Sequence, residues 1–270
     1  MLLVMRLVRR LVLFGSVAGA AMLAGCTTPA PASETREIRT ASDLTDADRR
    51  ARVRMELAAG YFGRGQLTTA LDEVKLALVA RPDLAEAFNL RGLIYAAMNE
   101  ATLAEESFQR ALQLAPRDAD TMQNYGWFLC QQRRYVDADA LFEKVLAQPQ
   151  YRETTRTLLA QGVCHARAGR LADAERVLLR SYELDTANPV TAFNLSDVLY
   201  RRNDFERARF YLGRLNARPD YSNAQTLWLA SRIERKLGNT TASQDFARQL
   251  RERFPQSPEA LQYERGRFDE

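Results

Sequence analysis

The sequence is poor in the side chains on which most enzyme centres depend. Among 270 residues it has one histidine, His165, and three cysteines, Cys26, Cys130 and Cys164. A zinc site needs several closely spaced His, Cys or carboxylate ligands, and a nucleophilic triad needs a well-placed histidine base. No glycine-rich phosphate loop follows a strand, because no segment has a convincing strand pattern. The sequence therefore predicts a non-enzyme with no catalytic residues, metal, cofactor or small-molecule substrate.

A large excess of one charge is also missing. The chain has 38 Lys+Arg against 34 Asp+Glu, and three of its arginines lie within the first ten residues. Without those three arginines the chain has 35 Lys+Arg and 34 Asp+Glu. The basic pI of 9.1 therefore gives little reason to expect a nucleic-acid partner.

The most apolar stretch lies close to the N-terminus. The three arginines precede an apolar segment from Leu11 to Leu23, which ends in Leu23-Ala24-Gly25-Cys26. Charge, a short apolar core and small residues are typical of a signal peptide, here residues 1–25. The thirteen residues of the apolar segment are short for a hydrocarbon layer about 30 Å thick. The ending resembles a bacterial lipobox, which implies lipidation of Cys26; the alternative is an ordinary secretory signal that ends near a cysteine.

Lipidation at Cys26 predicts that the protein is attached to a membrane. Several acyl chains anchor a protein stably, whereas one chain gives only marginal binding. Thr27 follows the cysteine, whereas an Asp at this place favours inner-membrane retention in enterobacterial lipoproteins. We therefore expect an outer-membrane protein that faces the periplasm through a lipid anchor. Residues 26–50, which begin with a segment rich in Pro, Ala, Ser and Thr, are predicted to be a flexible tether.

Alanine recurs at a nearly constant period. The six alanines are separated by steps of 34, 34, 36, 34 and 34 residues: Ala70, Ala104, Ala138, Ala174, Ala208 and Ala242. A period of 34 is the signature of tetratricopeptide repeats, in which each helix–turn–helix buries its apolar face against its neighbours. The predicted fold is an all-α, right-handed superhelical solenoid of six units and a C-terminal cap at 257–270. The units are 51–84, 85–118, 119–152, 155–188, 189–222 and 223–256.

Turn residues support these boundaries. Gly65, Asn99, Gly169 and Asn203 fall between the first helix (helix A) and the second helix (helix B) of their units. A positive φ is expected there, which Gly and Asn tolerate. Small residues at positions 8 and 20 of each unit let the two helices approach closely. Unit 6 matches this pattern least, as expected of an end unit with solvent on one side.

Two cysteines remain once Cys26 is assigned to lipid. Cys130 and Cys164 lie on helix A of adjacent units, and such helices pack side by side in these arrays. The oxidising periplasm favours a disulfide, so we predict a Cys130–Cys164 bridge that joins units 3 and 4. The alternative is a pair of buried free thiols, since cysteine packs well as a small apolar residue.

The concave surface of such a solenoid is the expected binding surface. It is lined mainly by helix A positions 2, 5, 9 and 12, which here include Met55, Ala59, Phe62, Asn89, Leu93, Ala96, Gln123, Trp127, Leu159, Val163, Phe193, Asp197 and Tyr200. A largely apolar groove suits an amphipathic helix or an extended segment of a partner protein. The alternative is that some of these side chains pack inside a tightly wound array.

One segment is more specific than the repeat pattern. Asn124-Tyr125-Gly126-Trp127-Phe128-Leu129-Cys130, followed by Arg134-Tyr135, resembles the PilF/PilW type IV pilus biogenesis lipoproteins, as do the lipobox, the tether and the six units. Gly162-Val163-Cys164 fits members that carry a cysteine pair. The resemblance covers roughly residues 51–255.

This resemblance implies a pilotin-like scaffold. Such a protein helps secretin subunits reach the outer membrane and form multimers, on which pili and twitching motility depend. The binding surface would involve the early units, so the candidate partner-binding residues are Tyr61, Phe62, Asn89, Leu93, Tyr95 and Trp127. Tyr61 and Tyr95 also occupy core positions of the repeat. Two alternatives remain open: an adaptor for peptidoglycan enzymes and a subunit of the outer-membrane protein assembly machinery.

Overall fold

The computed structural model describes residues 45–268. Within this range the chain forms thirteen α-helices, a short 3-10 turn at Pro219–Tyr221 and no β-strand. The helices are α1 Asp46–Gly63, α2 Leu67–Ala80, α3 Ala85–Ala97, α4 Ala101–Leu114, α5 Ala119–Gln131, α6 Tyr135–Leu146, α7 Thr154–Arg167, α8 Leu171–Leu184, α9 Pro189–Arg201, α10 Phe205–Asn216, α11 Ala224–Lys236, α12 Thr240–Arg253 and α13 Pro258–Glu264. Over residues 45–268, none of these helices is both long and apolar enough to cross a bilayer.

Successive helices pack as six pairs. α1 packs on α2, α3 on α4, and so on to α11 on α12, and each pair then packs on the next. Each pair exposes an apolar face that only its neighbour can bury, so the stack forms a continuous core. The predicted all-α array of six units is confirmed.

The first helix begins earlier than predicted. Thr45 caps α1: its hydroxyl accepts the Asp48 N–H at 3.1 Å, and the Asp48 carboxylate accepts the Thr45 N–H at 3.0 Å. This reciprocal capping box satisfies two backbone donors that would otherwise lack partners. Residues 46–50 therefore belong to α1, which corrects the predicted tether boundary at residue 50. The rest of the tether, the signal segment and Cys26 lie outside the described residues.

The turns between paired helices follow the prediction. Gly65, Asn99, Gly169 and Asn203 all have positive φ, from 62° to 76°. Arg133 (φ 62°) and Gly238 (φ 78°) occupy the same turn in units 3 and 6. A positive φ is unfavourable for arginine. Arg133 adopts it because all six units share the same turn geometry.

The register predicted for unit 6 is wrong by one residue. In unit 5, Ser196 Oγ donates to the Ala208 carbonyl at 2.8 Å; in unit 6 the matching bond joins Ser231 Oγ to the Ser243 carbonyl at 2.9 Å. Ser231 and Ser243 therefore occupy positions 8 and 20 of unit 6, rather than Ala230 and Ala242. Unit 6 starts at position 224, because the loop containing the 3-10 turn has one extra residue.

Glycine at position 8 sets the distance between paired helices. A Cβ on Gly92 would lie 2.7 Å from the Phe108 ring, and one on Gly162 would lie 2.5 Å from Leu178 Cγ. Real Cβ atoms do not approach so closely, so these two glycines are required by packing. Gly126 is less restricted, with 3.0 Å to the Phe142 ring.

The predicted C-terminal cap contains α13, which packs on α11 and α12. It closes the last unit through a buried cluster of Leu227, Trp228, Leu250 and Ala260. Phe254, Tyr263 and Phe268 pack against the edge of this cluster.

Candidate partner-binding surface

Helices α5 and α7 lie side by side and are joined covalently. Cys130 and Cys164 form a disulfide with Cα atoms 5.7 Å apart, and both residues are 1% exposed. Two turns earlier on α5, Gln123 Oε1 accepts hydrogen bonds from Tyr151 and Thr157, each at 2.7 Å. Gln123 is therefore a buried junction residue, so for this side chain the alternative of packing inside the array is the correct one.

Most of the specific segment in α5 has a packing role. Tyr125 stacks on Phe108 with ring centroids 5.4 Å apart, and Phe128 packs against the same ring in a tilted arrangement at 5.6 Å. Tyr125 also donates its hydroxyl to Glu105 at 2.7 Å. Between residues 124 and 130, Asn124 and Trp127 are the two residues that are not buried.

Asn124 belongs to a polar ladder across three A helices. Its amide donates to Asn89 Oδ1 on α3 at 3.2 Å, and its oxygen accepts from Arg156 on α7 at 3.4 Å. Arg156 also pairs with Asp120 at 3.5 Å. The predicted contact residue Asn89 is thus tied to its neighbours on this surface.

Trp127 lines an open cleft between α3 and α5. The α3–α5 cleft has a volume of about 780 Å³, and Leu93, Ala96, Ala97 and Phe128 form its apolar walls, with Gln131 and Gln132 at one side. The guanidinium of Arg167 lies 4.8 Å from the centre of the Trp127 ring. An open cleft of mixed polar and apolar lining, with an aromatic residue in its wall, is the kind of surface that takes a protein segment.

The structure brings together two of the six predicted contact residues, Leu93 and Trp127. Tyr61, Phe62 and Tyr95 are half-buried and pack in the core between the early units. These three side chains therefore pack inside the array, which is the alternative to a place in the groove. The candidate surface is therefore smaller than the predicted one and centres on the junction of units 2 and 3.

Carboxylates on helix B join unit 2 to unit 3 and unit 3 to unit 4. Burial raises the pKa of Glu105, but hydrogen bonds from Tyr125 and Arg134 outweigh it, so the pKa lies below its usual value. Asp139 behaves in the same way: burial raises its pKa, but hydrogen bonds from Gln161 and His165 outweigh this effect and hold the pKa below its usual value.

The single histidine takes part in one of these contacts and has a structural role there. His165 is buried, with its Nε2 2.9 Å from Asp139 Oδ1. Arg170 lies 3.3 Å from the other Asp139 oxygen. In residues 45–268 no group of three or more His, Cys, Asp or Glu side chains is placed to hold a metal.

Sequence reasoning missed the arginines of the later units. Arg232 lies over the Tyr200 ring at 4.6 Å, and Arg235 over the Phe268 ring at 4.1 Å. The sequence pattern that could have indicated them is the recurrence of arginine near the end of helix A, as at Arg167, Arg201 and Arg235.

Comparisons with known proteins agree with this architecture. Residues 126–189 and 85–118 each match the sequence pattern of the tetratricopeptide repeat. The chain thus contains tetratricopeptide repeats.

Its similarity to particular proteins is more informative. It is homologous to the type IV pilus assembly protein PilF of Pseudomonas aeruginosa, with 27% identity over 213 residues, 78% of this chain and 83% of that protein. The crystal structure of PilW, a widely conserved type IV pilus biogenesis factor, matches with a TM-score of 0.74 at 29% identity, covering 79% of this chain and 97% of that chain. The structure of Pseudomonas aeruginosa PilF matches in fold, with a TM-score of 0.70 at 24% identity over 82% of this chain and 100% of that one. The predicted resemblance to PilF and PilW is confirmed.

Proposed function

We propose that this protein is a non-catalytic scaffold of type IV pilus biogenesis that acts as a pilotin. It binds secretin subunits, holds them at the outer membrane and promotes their assembly into multimers. The observation that carries this proposal is the homology to PilF, together with the structural match to PilW over 79% of the chain.

The α3–α5 cleft supplies the proposed contact. Within residues 124–130 the buried side chains are explained by packing, whereas Trp127 faces the cleft beside Leu93. A partly exposed tryptophan in a cleft is typical of the residues that dominate protein–protein affinity. A segment of the secretin would place apolar side chains against Trp127 and Leu93.

Lipid on Cys26 accounts for the proposed localisation at the outer membrane. An anchored scaffold confines each bound subunit to the membrane surface, which raises the local concentration of subunits and favours multimers. Replacement Cys26→Ala should release the protein from the outer-membrane fraction. Retention of an unprocessed or partner-bound Cys26→Ala protein in that fraction would mean that lipid is not its only address.

The test is a gene deletion in the native host, followed by blotting of unboiled membranes for secretin multimers and monomers. We expect multimers to disappear while monomers persist, and the wild-type gene to restore them. Complementation with Trp127→Ala should leave multimers strongly reduced.

Phe210→Ala is the matched control, since Phe210 is a 58% exposed aromatic residue on α10, away from the cleft. It should restore multimers fully. Normal multimers and normal twitching in the deletion strain would contradict the pilotin role and favour an adaptor for peptidoglycan enzymes.

A further inference from the structure

The chain turns back on itself after α13. Gly266, with φ 69°, reverses the direction of the backbone, and the Arg267 N–H returns to the Gln262 carbonyl at 3.0 Å. Phe268 is thereby placed on α11. Residues 265–268 are called the tail below.

Phe268 makes three kinds of contact with α11. Its ring centre lies 5.3 Å from that of Trp228, the Arg235 guanidinium lies 4.1 Å from the Phe268 ring centre, and Arg232 Nε donates to its carbonyl at 2.7 Å. The tail thus places an aromatic ring between an indole and a guanidinium while its backbone is held by a second guanidinium. Extended peptides are commonly bound in this way, through main-chain hydrogen bonds and a side-chain pocket.

Two of the α11 residues that hold the tail, Arg232 and Arg235, occupy groove positions, whereas Trp228 is 4% exposed and belongs to the buried cluster. With unit 6 beginning at Ala224, Arg232 and Arg235 are at positions 9 and 12. These are helix A positions that line the concave surface in a tetratricopeptide array. The tail therefore lies where a bound segment would lie.

α13 is too short to cover the whole of α11. The A helices α3, α5, α9 and α11 have 13 residues each, whereas α13 has 7. The seven residues of α13 seal the apolar cluster around Leu227 and Leu250. Arg232 and Arg235, in the second half of α11, are covered by the tail.

The charge of this surface indicates the chemistry of its ligand. Arg201, Arg232 and Arg235 lie there with one carboxylate, Asp197, which is 3.8 Å from Arg201. Another acid on α11, Glu234, is 8% exposed and faces Arg209 and Asn239. The excess of arginine over carboxylate on this surface suits a ligand that carries acids beside its aromatic residue. The sequence has such acids directly after Phe268, at Asp269 and Glu270, which lie outside the described residues.

We propose that the concave surface of units 5 and 6 is a second binding site, separate from the α3–α5 cleft. Its ligand is an extended segment of a partner protein in which an aromatic residue is followed by carboxylates, and the tail occupies the site until that partner displaces it. A tethered segment competes at an effective concentration on the order of millimolar, so the tail would reduce the apparent affinity of the partner. This proposal does not depend on the pilotin role.

The test uses the full chain in detergent and a fluorescein-labelled peptide of residues 261–270, Leu-Gln-Tyr-Glu-Arg-Gly-Arg-Phe-Asp-Glu. Fluorescence anisotropy should show binding at least about tenfold tighter to Phe268→Ala than to the wild type, because the variant no longer fills the site. A peptide with Ala in place of its Phe should bind neither protein. Adding Arg235→Ala to Phe268→Ala should abolish binding.

Arg248→Ala in the Phe268→Ala chain is the matched control, since Arg248 lies on α12 and pairs with Asp245 at 2.7 Å. It should bind the peptide as tightly as Phe268→Ala alone. Phe268→Leu keeps an apolar side chain for the cap and should bind with intermediate affinity, which keeps the test valid if Phe268→Ala fails to fold. Equal peptide binding to wild type and variants, or binding that does not need Arg235, would overturn the proposal and make the tail only a cap.

Discussion

The two halves of the concave surface differ because the later units add arginines to it. In units 1–3, positions 9 and 12 hold residues that are mostly apolar, including Ala59, Phe62, Leu93, Ala96 and Trp127. In units 5 and 6, arginines from the second half of helix A reach neighbouring helices: Arg201 donates to the Ala166 carbonyl at 2.9 Å, and Arg232 covers Tyr200. Packing fixes the small and aromatic core positions, whereas groove positions vary freely, so one array can present two surfaces.

The boundary between the halves is the junction that the disulfide crosses. The repeat step lengthens to 36 residues there, and the Cys130–Cys164 disulfide and the hydrogen bonds to Gln123 span it. In repeat proteins, stability is a sum of unit and interface terms, so one weak interface can let the two sides unfold separately. The disulfide at this junction therefore couples the two halves.

The largest effect is expected from removing that coupling. The combined replacement Cys130→Ala and Cys164→Ala should lower the free energy of unfolding by about 4 kcal/mol, from the chain entropy of a loop of roughly 34 residues. Urea unfolding followed by circular dichroism should then change from one transition to two. The matched control is wild type under strong reductant, which should approach the variant. An unchanged midpoint would show that packing alone couples the halves.

Next come the glycines that set helix spacing in each half. Gly92→Ala and Gly162→Ala should each destabilise the protein by about 1–3 kcal/mol through overpacking, only partly offset by a gain in helix propensity of about 1 kcal/mol. Gly126→Ala is the milder comparison: its Cβ would lie 3.0 Å from the Phe142 ring, still a tight contact, so we expect a smaller cost that the gain in helix propensity largely offsets. Thermal melts of the three variants would measure this. A large difference between Gly92→Ala and Gly162→Ala would contradict the view that both halves share one scaffold.

The fold was largely predictable because packing repeats. A constant step between small residues requires a constant supersecondary unit, and the turn residues marked where each helix pair reverses. The error in unit 6 arose because Ala242 precedes the equally small Ser243. The choice between them depends on a one-residue loop extension, which has no pattern of its own.

The candidate site was less predictable, because neighbouring helices decide what a groove position does. Gln123 and Trp127 were both assigned to the groove, yet Gln123 is buried by contacts from Tyr151 and Thr157 beyond the junction. Arg232 and Arg235 found aromatic partners on other helices or in the tail. Such contacts depend on the reach of long side chains in three dimensions, and no local spacing encodes them.

Acid should weaken the carboxylate contacts within the first half and at the boundary between the halves by similar, smaller amounts. The pKa values of Glu105 and Asp139 are lowered in the folded protein, because hydrogen bonds from Tyr125 and Gln161 outweigh burial. Their stabilisation is therefore present above the unfolded-state values of about 4 and is lost as the pH falls through the lower folded values. Glu105→Gln and Asp139→Asn should each cost about 1 kcal/mol at pH 7 and much less at pH 3. Urea titrations at both pH values would measure it, and an equal cost at pH 3 would contradict this origin.

The smallest effect is expected at Arg167, the arginine of unit 4 that reaches the cleft of the early units. An exposed cation–π contact contributes about 0.5–1 kcal/mol, so Arg167→Ala should barely change stability. It should, however, increase acrylamide quenching of Trp127, measured in a Trp228→Phe background because the chain has two tryptophans; Arg167→Lys should show an intermediate increase. The same variant separates the two surfaces: if they are independent, Arg167→Ala changes secretin multimers but leaves binding of the 261–270 peptide to the Phe268→Ala chain unaltered. A loss of peptide affinity in Arg167→Ala would instead mean that the groove acts as one continuous site.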